Sequence, residues 1–260
     1  MESQDQEFNR FVGKIKSYTT IDLSQYKEAQ MKRRLTTLRI KKGFSSFDAY
    51  FEAIVKDKQL LYEFLDRMTI NVSEFWRNPN RWQVLEERIL PQLTAVNRRL
   101  RVWSAACSTG EEPYTLAMIL QGHGLLRDAS LLATDLDEGV LEKAQQGVYL
   151  DRSIRDVPPV QLEKNFIKEG EVFRVNPELK RYVRFQKQNL LTDRFENNFD
   201  LIVCRNVMIY FTEEAKHELY QKFSAALRPG GILFVGSTEQ IFSPNRYGME
   251  LADTFFYRKL

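Results

Sequence analysis

The sequence predicts an α/β protein in which a doubly wound, mostly parallel sheet follows an all-α N-terminal domain. From the N-terminus to about residue 90, apolar residues recur only at helical spacing. From about residue 100, short apolar runs alternate with amphipathic segments, as in parallel strands joined by crossover helices. Between residues 150 and 182, two prolines, the turn-like Glu169-Gly170-Glu171 and the short run VFRV interrupt this alternation. The interruption predicts a helix and a small hairpin that protrude from the sheet.

We place the helical domain at residues 1–85 and the sheet domain at residues 86–260. In the second domain, the segments PYTLAMILQ, GVLEKAQQ and TEEAKHELYQKFSAAL read as helices between apolar runs. The last apolar run has no clear crossover helix before it, which makes it a candidate for antiparallel pairing. The predicted strands span residues 101–106, 131–136, 182–186, 199–204, 231–237 and 255–260.

The composition is ordinary for a soluble globular protein, and the formal charge is only +3. Cys107 and Cys204 are too few for a disulfide framework or a cysteine-based zinc site, so we expect a reducing compartment and no metal. The polar, acidic start MESQDQEF does not resemble a signal peptide, and no apolar run approaches the length that spans a bilayer. We therefore expect a cytoplasmic protein that does not insert into the membrane.

The stretch WSAACSTGEEPY, residues 103–114, joins the first strand to the first helix of the sheet domain. Nucleotide-binding folds keep a glycine-rich phosphate loop at this place, but here Gly110 is the only glycine and Glu111 and Glu112 follow it. Two carboxylates would repel a pyrophosphate and could receive a cationic or hydroxyl-bearing group. Because Pro113 suits the first helical position, we expect the helix to begin there and Glu111 to lie in the loop.

The second strand ends at ATDLD with Asp135, about 25 residues after the loop. In dinucleotide-binding folds an acid at this place accepts hydrogen bonds from ribose hydroxyls. Ribose recognition without room for phosphate indicates S-adenosylmethionine, which carries an adenosine, a sulfonium and an ammonium but no phosphate. The alternative is local: Glu111 and Glu112 complement the helix dipole, and Asp135 caps the next helix.

Two further segments are rich in polar side chains. TINVSEFWRNP, residues 69–79, is explained by local capping and core packing except at Arg77. FDLIVCRNVMIYF, residues 199–211, is a buried strand that runs directly into Arg205, Asn206 and Tyr210. Since the carboxyl ends of parallel strands border one crevice, these side chains are candidates for the same site.

The motifs NVSEFWR, WSAACSTGEEPY, ATDLD, QNLL and FDLIVCRNVMIYF, in this order after a helical domain, closely resemble the CheR family of chemotaxis receptor methyltransferases. The resemblance runs through nearly the whole chain. It implies a Rossmann-like class I methyltransferase sheet with a small antiparallel β-subdomain at about residues 165–188. It also implies transfer of a methyl group from S-adenosylmethionine to glutamate side chains of chemoreceptors, giving methyl esters and S-adenosylhomocysteine.

The resemblance also implies roles for individual residues. Arg77 and Tyr210 match positions near the transferred methyl group and are the candidate catalytic residues. The turn from Glu169 to Phe173 is short compared with members whose subdomain docks a receptor's C-terminal pentapeptide, which argues against that tether here. The positions matching cofactor contacts are Asn71, Ser73, Arg77, Glu111, Asp135, Asn189, Leu190, Arg205 and Asn206.

The segment KEAQMKRRLTTLRIKK, residues 27–42, carries seven basic residues and one acid. Lys32, Arg33, Arg34 and Arg39 could align a receptor helix that presents carboxylates, although such a run can also be a solvated face. We expect a monomer that is recruited to membrane-bound receptor arrays and binds no nucleic acid. The alternatives are an RNA methyltransferase, for which the run would be the electrostatic footprint, and a non-catalytic S-adenosylmethionine-binding module.

Overall fold

The computed structural model describes residues 4–68 and 73–260, which form two compact units. The first unit comprises the described part of residues 1–71 together with Tyr210–Glu218, and the second the described part of residues 72–209 together with Leu219–Leu260. The predicted boundary after residue 85 lies later than this division. It would cut the helical stretch of residues 79–96, whose apolar side chains pack in the core of the second unit.

The described part of residues 1–71 forms four helices and a 3₁₀ turn at Leu23–Gln25, and Tyr210–Glu218 adds the start of a further helix at Glu213. Phe8, Phe11 and Ile15 are buried at helical spacing, so one face of the first helix lines the core. The third helix begins where the Ser46 hydroxyl accepts a hydrogen bond from the Ala49 N–H. The helices are α1 Gln4–Thr19, α2 Glu28–Lys41, α3 Phe47–Lys56 and α4 Lys58–Met68.

Of the remaining helices, Glu111–Gly122 and Glu213–Ala226 are the longest, with 12 and 14 residues. They are α5 Pro79–Val84, continued by a π-helical turn Leu85–Ile89, α6 Leu90–Val96, α7 Glu111–Gly122, α8 Glu138–Gln146, α9 Asp151–Ile154, α10 Pro159–Asn165, α11 Pro177–Lys180 and α12 Glu213–Ala226. None of the helices in the described residues is both long enough and apolar enough to cross a membrane.

The described part of the second unit contains ten strands in two sheets. They are β1 Arg101–Ala105, β2 Ser130–Asp135, β3 Val148–Leu150, β4 Phe166–Glu169, β5 Val172–Val175, β6 Val183–Lys187, β7 Phe199–Cys204, β8 Leu227–Val235, β9 Met249–Asp253 and β10 Phe256–Lys259. The main sheet has the order β6-β2-β1-β7-β8-β10-β9. Its first five strands pair in parallel, and β10 is antiparallel to both β8 and β9.

This sheet confirms the predicted fold class and the antiparallel last strand. In the main sheet, β2 and then β6 lie on one side of β1, and β7 and then β8 lie on its other side. The strand order therefore reverses between β1 and β7, where open α/β sheets bind their ligands. β9 was not predicted, because an edge strand that buries little beyond Met249 shows no apolar run.

The small sheet has the order β3-β5-β4 and is antiparallel throughout. It corrects the range 165–188 expected for the insertion. The sheet begins at Val148, and the strand β6 within that range pairs in parallel with β2 of the main sheet. A tight turn at Gly170, with φ of 63°, joins β4 to β5, and Arg174 and Glu169 form a cross-strand ion pair at 2.8 Å.

Candidate active site

The loop between β1 and α7 contains residues with left-handed backbone conformations. Ala106 and Ser108 adopt left-handed φ values of 60° and 49°, which are strained for residues other than glycine. Gly110 has φ of 95°, and a Cβ atom there would lie 2.8 Å from the Cβ of Ala144. The surrounding structure therefore imposes this loop, as is common where a backbone is shaped for a ligand.

The helix after this loop begins at Glu111, with Gly110 as its N-cap, which corrects the expected start at Pro113. Pro113 still lies in the first turn, where a missing N–H breaks no intrahelical hydrogen bond. Glu111 is only 3% exposed and accepts hydrogen bonds from the hydroxyls of Thr109, at 2.7 Å, and Ser73. Burial raises the pKa of Glu111. The structure thus brings the predicted residues Ser73 and Glu111 together.

Glu112 faces a different environment from Glu111. Its Oε1 accepts a hydrogen bond from the Ser104 hydroxyl at 2.9 Å, and its Oε2 lies 3.7 Å from Nη1 of Arg205. Burial raises the pKa of Glu112 to about 7, and the charge of Arg205 opposes that rise. Glu112 therefore contacts the strand ends behind the loop.

We expect Glu111→Gln to weaken binding of S-adenosylhomocysteine about 10-fold, because a charge-assisted hydrogen-bond acceptor is lost at the loop. Glu112→Gln is the matched control and should change this affinity by less than about 2-fold, since its carboxylate contacts Ser104 and Arg205 instead. Isothermal titration calorimetry of both variants measures the difference. A larger loss in Glu112→Gln would contradict the division between the two acids.

Asp135 lies at the carboxyl end of β2 and is 6% exposed. Its two oxygens accept hydrogen bonds from the N–H groups of Ser108, at 2.8 Å, and Asp137, at 3.1 Å. Burial raises the pKa of Asp135 to about 6. A carboxylate offers about four lone-pair positions, and the Leu136 backbone is a third donor to Asp135, so a position remains for a further hydrogen-bond donor.

Two residues next to Asp135 carry buried polar atoms that no other side chain or backbone group of the described residues satisfies. The Gln188 N–H donates to the Asp135 carbonyl at 2.9 Å, which places the two side by side. Ser108 Oγ and Gln188 Oε1 are buried without a hydrogen-bond partner within the described part of the chain. Such groups are costly unless a ligand or water completes them.

Asn189 and Leu190 follow β6 in a turn that is held by hydrogen bonds between its own residues. Asn189 Oδ1 accepts from the Leu191 N–H at 3.0 Å, and the Asn189 N–H donates to Asp193 at 2.8 Å. Lys222 Nζ donates to the Leu190 carbonyl at 2.6 Å, and Leu190 itself is buried. The turn therefore places the buried apolar side chain of Leu190 near the carboxyl end of β6.

Arg205 and Asn206 lie directly after β7, as predicted, but the Arg205 side chain does not lie on an open rim. The residue as a whole is 7% exposed, and its Nη2 donates to the Arg77 carbonyl and to Asn78 Oδ1, both at 2.8 Å. Asn206 has φ of 60°, and its N–H donates to Glu239 Oε2 at 2.7 Å. The contacts of Arg205 and Asn206 thus hold the neighbouring segments at Arg77–Asn78 and at Glu239.

Glu239 is a site residue that the sequence analysis did not single out. Its carboxylate also accepts from the N–H groups of Gly236, at 2.8 Å, and Ile209, at 3.3 Å. A Cβ atom at Gly236 would lie 2.4 Å from Glu239 Oε2, so only glycine leaves room for this carboxylate. An acid three residues beyond a glycine that ends a strand is the only signal in the sequence, and it is a weak one.

The other predicted residues belong to the first unit or lie outside the described residues. Tyr210 packs under the Arg34 guanidinium, 4.9 Å from the ring centroid. In helix α2, Lys32 pairs with Asp5, and Arg39 lies over the ring of Phe47 at 5.0 Å. Arg33 is exposed. Asn71 lies outside the described residues.

Comparison with known proteins also divides the chain near residue 70, as the two compact units do. Residues 6–69 match the family model for the CheR methyltransferase all-alpha domain, and residues 71–255 match the CheR methyltransferase SAM binding domain. A chemotaxis protein methyltransferase of Listeria innocua serovar 6a is 45% identical over 256 residues, covering 98% of each chain. One from Listeria monocytogenes serovar 1/2a is 44% identical with the same coverage. One from Borreliella burgdorferi is 35% identical, covering 90% of this chain and 88% of the relative.

Proposed function

The chain belongs to the CheR methyltransferase family, and we propose that it methylates glutamate side-chain carboxylates of chemoreceptors, producing glutamate methyl esters and S-adenosylhomocysteine. It is an S-adenosylmethionine-dependent methyltransferase. The observation that supports the cofactor most strongly is the pairing of Asp135 with the strained loop at Ser108, beside the buried Glu111. This arrangement accepts hydroxyl and cationic groups and offers a phosphate two repelling carboxylates.

The substrate itself determines what the enzyme must supply. A glutamate side chain has a pKa of about 4.3 in water, so at neutral pH it is already the ionised nucleophile. Bound S-adenosylmethionine supplies an electrophilic methyl group on a positively charged sulfur. The chain therefore needs no general base, in keeping with His123 and His217 belonging to none of the motifs. Its residues must orient the carboxylate and exclude water.

We assign these tasks to Arg77 and Tyr210. A guanidinium can hold a carboxylate through two parallel N–H donors, and a phenol hydroxyl can donate one further hydrogen bond. Ser73, Glu111 and Asp135 are proposed as cofactor contacts, with Asn71 and the turn Asn189–Leu190 completing the set. The backbone at Arg205 and Asn206 is proposed to border the same crevice.

We further propose that the protein acts as a monomer in the cytoplasm at membrane-bound receptor arrays. Methylation helices that present several carboxylates would be attracted to the basic helix α2. The two-residue turn Gly170-Glu171 between β4 and β5 supports action without a pentapeptide tether.

Incubation with radiolabelled S-adenosylmethionine and either receptor-bearing membranes, RNA or neither tests the proposed function. We expect label on the receptor that mild base releases, because carboxyl methyl esters hydrolyse readily. Label on RNA would favour the RNA methyltransferase alternative. Cofactor binding without transfer to either acceptor would favour the non-catalytic module.

We expect Arg33→Glu to raise the KM for receptor several-fold, roughly 3- to 10-fold at low salt, with a smaller effect at high salt. Arg33 is suited to this test because it is exposed, whereas Arg34 packs on Tyr210. Lys56→Glu, an equal charge change on the exposed end of α3, is the control. Steady-state kinetics at two ionic strengths measure both. Identical kinetics for the two variants would show that the basic face of α2 is only solvated and does not attract the receptor.

A further inference from the structure

Arg77 lies between two residues with strained backbone. Trp76 has φ of 51° and Asn78 has φ of 60°, and neither is a glycine. Left-handed residues of this kind persist only where surrounding contacts impose them, and they cluster at functional sites. The direction in which Arg77 leaves the backbone is therefore set by whatever holds this turn.

Arg205 supplies the central contacts to the turn. Its Nη2 donates to the Arg77 carbonyl and to Asn78 Oδ1, both at 2.8 Å. Trp82 Nε1 donates to the same Arg77 carbonyl at 3.1 Å. On the other side, the Trp76 N–H donates to Thr115 Oγ1 of α7 at 3.3 Å. Arg205, Trp82 and Thr115 thus all hold the turn formed by Trp76, Arg77 and Asn78.

The Arg205 side chain is itself held rigidly. The side chain is 2% exposed, and its guanidinium packs against the rings of both Trp82 and Phe234, whose centroids are 5.1 and 4.9 Å from its Cζ. Its counterion is Glu112 at 3.7 Å, which the Ser104 hydroxyl fixes in turn. The planar guanidinium therefore reaches the turn in one orientation.

Stability alone does not account for this arrangement. Removing a guanidinium and a carboxylate from water offsets much of their attraction, so a buried ion pair adds little net stability over apolar residues. The Arg205–Glu112 pair instead fixes the position of the backbone at Arg77 and Asn78. Glu112 and Thr115 both belong to α7, so the helix that follows the loop between β1 and α7 also fixes the turn that carries Arg77.

We propose that Arg205 is a positioning residue for Arg77 and that Glu112 is its counterion. Arg205 would act through the Arg77–Asn78 backbone, and its side chain would touch neither cofactor nor substrate. The proposal rests on the proposed function, because it assumes that Arg77 orients the reacting carboxylate.

A double-mutant cycle between Arg205→Lys and Arg77→Ala tests this role. Lysine keeps the charge but loses the planar fork, so in the otherwise wild-type chain we expect kcat for receptor methylation to fall about 10- to 100-fold. In the Arg77→Ala background the same change should lower kcat by less than about 2-fold, because no guanidinium remains to be positioned. Glu112→Gln should show the same loss and the same non-additivity, and it replaces Arg205→Lys if that variant does not fold.

Arg228→Lys is the matched control. Arg228 is a largely buried arginine of the same unit, paired with buried Asp200 at 2.6 Å and remote in sequence from the turn. Its effect on kcat should be the same with or without Arg77. Thermal midpoints and S-adenosylhomocysteine affinity, measured for every variant, separate unfolding from misplacement.

Losses from Arg205→Lys and Arg77→Ala that multiply would overturn the positioning role while leaving the proposed function intact. A wild-type chain that transfers no methyl group to receptor would overturn the proposed function, and the positioning role with it.

Discussion

Arg77→Ala is expected to lower kcat for receptor methylation by about 100-fold or more, because a misoriented carboxylate rarely meets the methyl group in line with the departing sulfur. Cofactor affinity should fall much less than kcat, since Ser73, Glu111 and Asp135 remain. Steady-state kinetics with receptor membranes, combined with calorimetry of S-adenosylhomocysteine binding, separate the two effects.

Arg88→Ala is the control for this prediction, because Arg88 belongs to the same unit, is exposed and pairs with Asp253 at 2.9 Å. Tyr210→Phe is the companion variant, because it keeps the ring under Arg34 and removes only the hydroxyl. We expect Tyr210→Phe to reduce kcat about 10-fold, the usual scale for one hydrogen bond formed in the transition state. Near-normal turnover in both Arg77→Ala and Tyr210→Phe, with cofactor binding intact, would refute the assignment of either as a positioner of substrate.

Asp135→Asn is expected to weaken S-adenosylhomocysteine binding by about 10- to 100-fold at pH 7.5, because an amide oxygen replaces a charged acceptor for the ribose hydroxyls. Burial raises the pKa of Asp135 to about 6, so the carboxylate is ionised at pH 7.5 and becomes protonated below about 6. Wild-type affinity should therefore decline as the pH falls through about 6. Calorimetric titrations from pH 5 to pH 8 measure that profile.

The Asp135→Asn variant should lack the decline that is centred near pH 6. Burial also raises the pKa of Glu111, so Glu111 can contribute a pH dependence that remains in the variant. An unchanged profile in Asp135→Asn would show that Asp135 does not bind the ribose.

Much of the fold was predictable because its signals are local. Buried strands such as β7 appear as continuous apolar runs, and the helical spacing of Phe8, Phe11 and Ile15 matches the face that packs inward. β3 and β9 escaped prediction because three residues and a half-exposed edge produce too short a pattern. The helix start at Glu111 differs from the expected one because the left-handed Gly110, and not Pro113, ends the loop.

The site was predictable only in part, for a physical reason. Asp135 follows from its place at a strand end, which sequence shows directly. The contact of Arg205 with Asn78 joins residues 127 apart, and that of Glu239 with Asn206 joins residues 33 apart. No local pattern encodes such pairings. For that reason the sequence placed Arg205 at the crevice rim, and only the structure relates it to the turn that carries Arg77.

Conversion of receptor glutamates to methyl esters by this chain can be followed residue by residue. Tandem mass spectrometry of receptor, after incubation with the protein and S-adenosylmethionine, locates each added methyl group. We predict a gain of one methyl group on glutamate residues of the receptor's cytoplasmic helices, lost after mild base and accompanied by an equal amount of S-adenosylhomocysteine. Methyl groups found only on other residue types, or an unmodified receptor, would contradict this prediction.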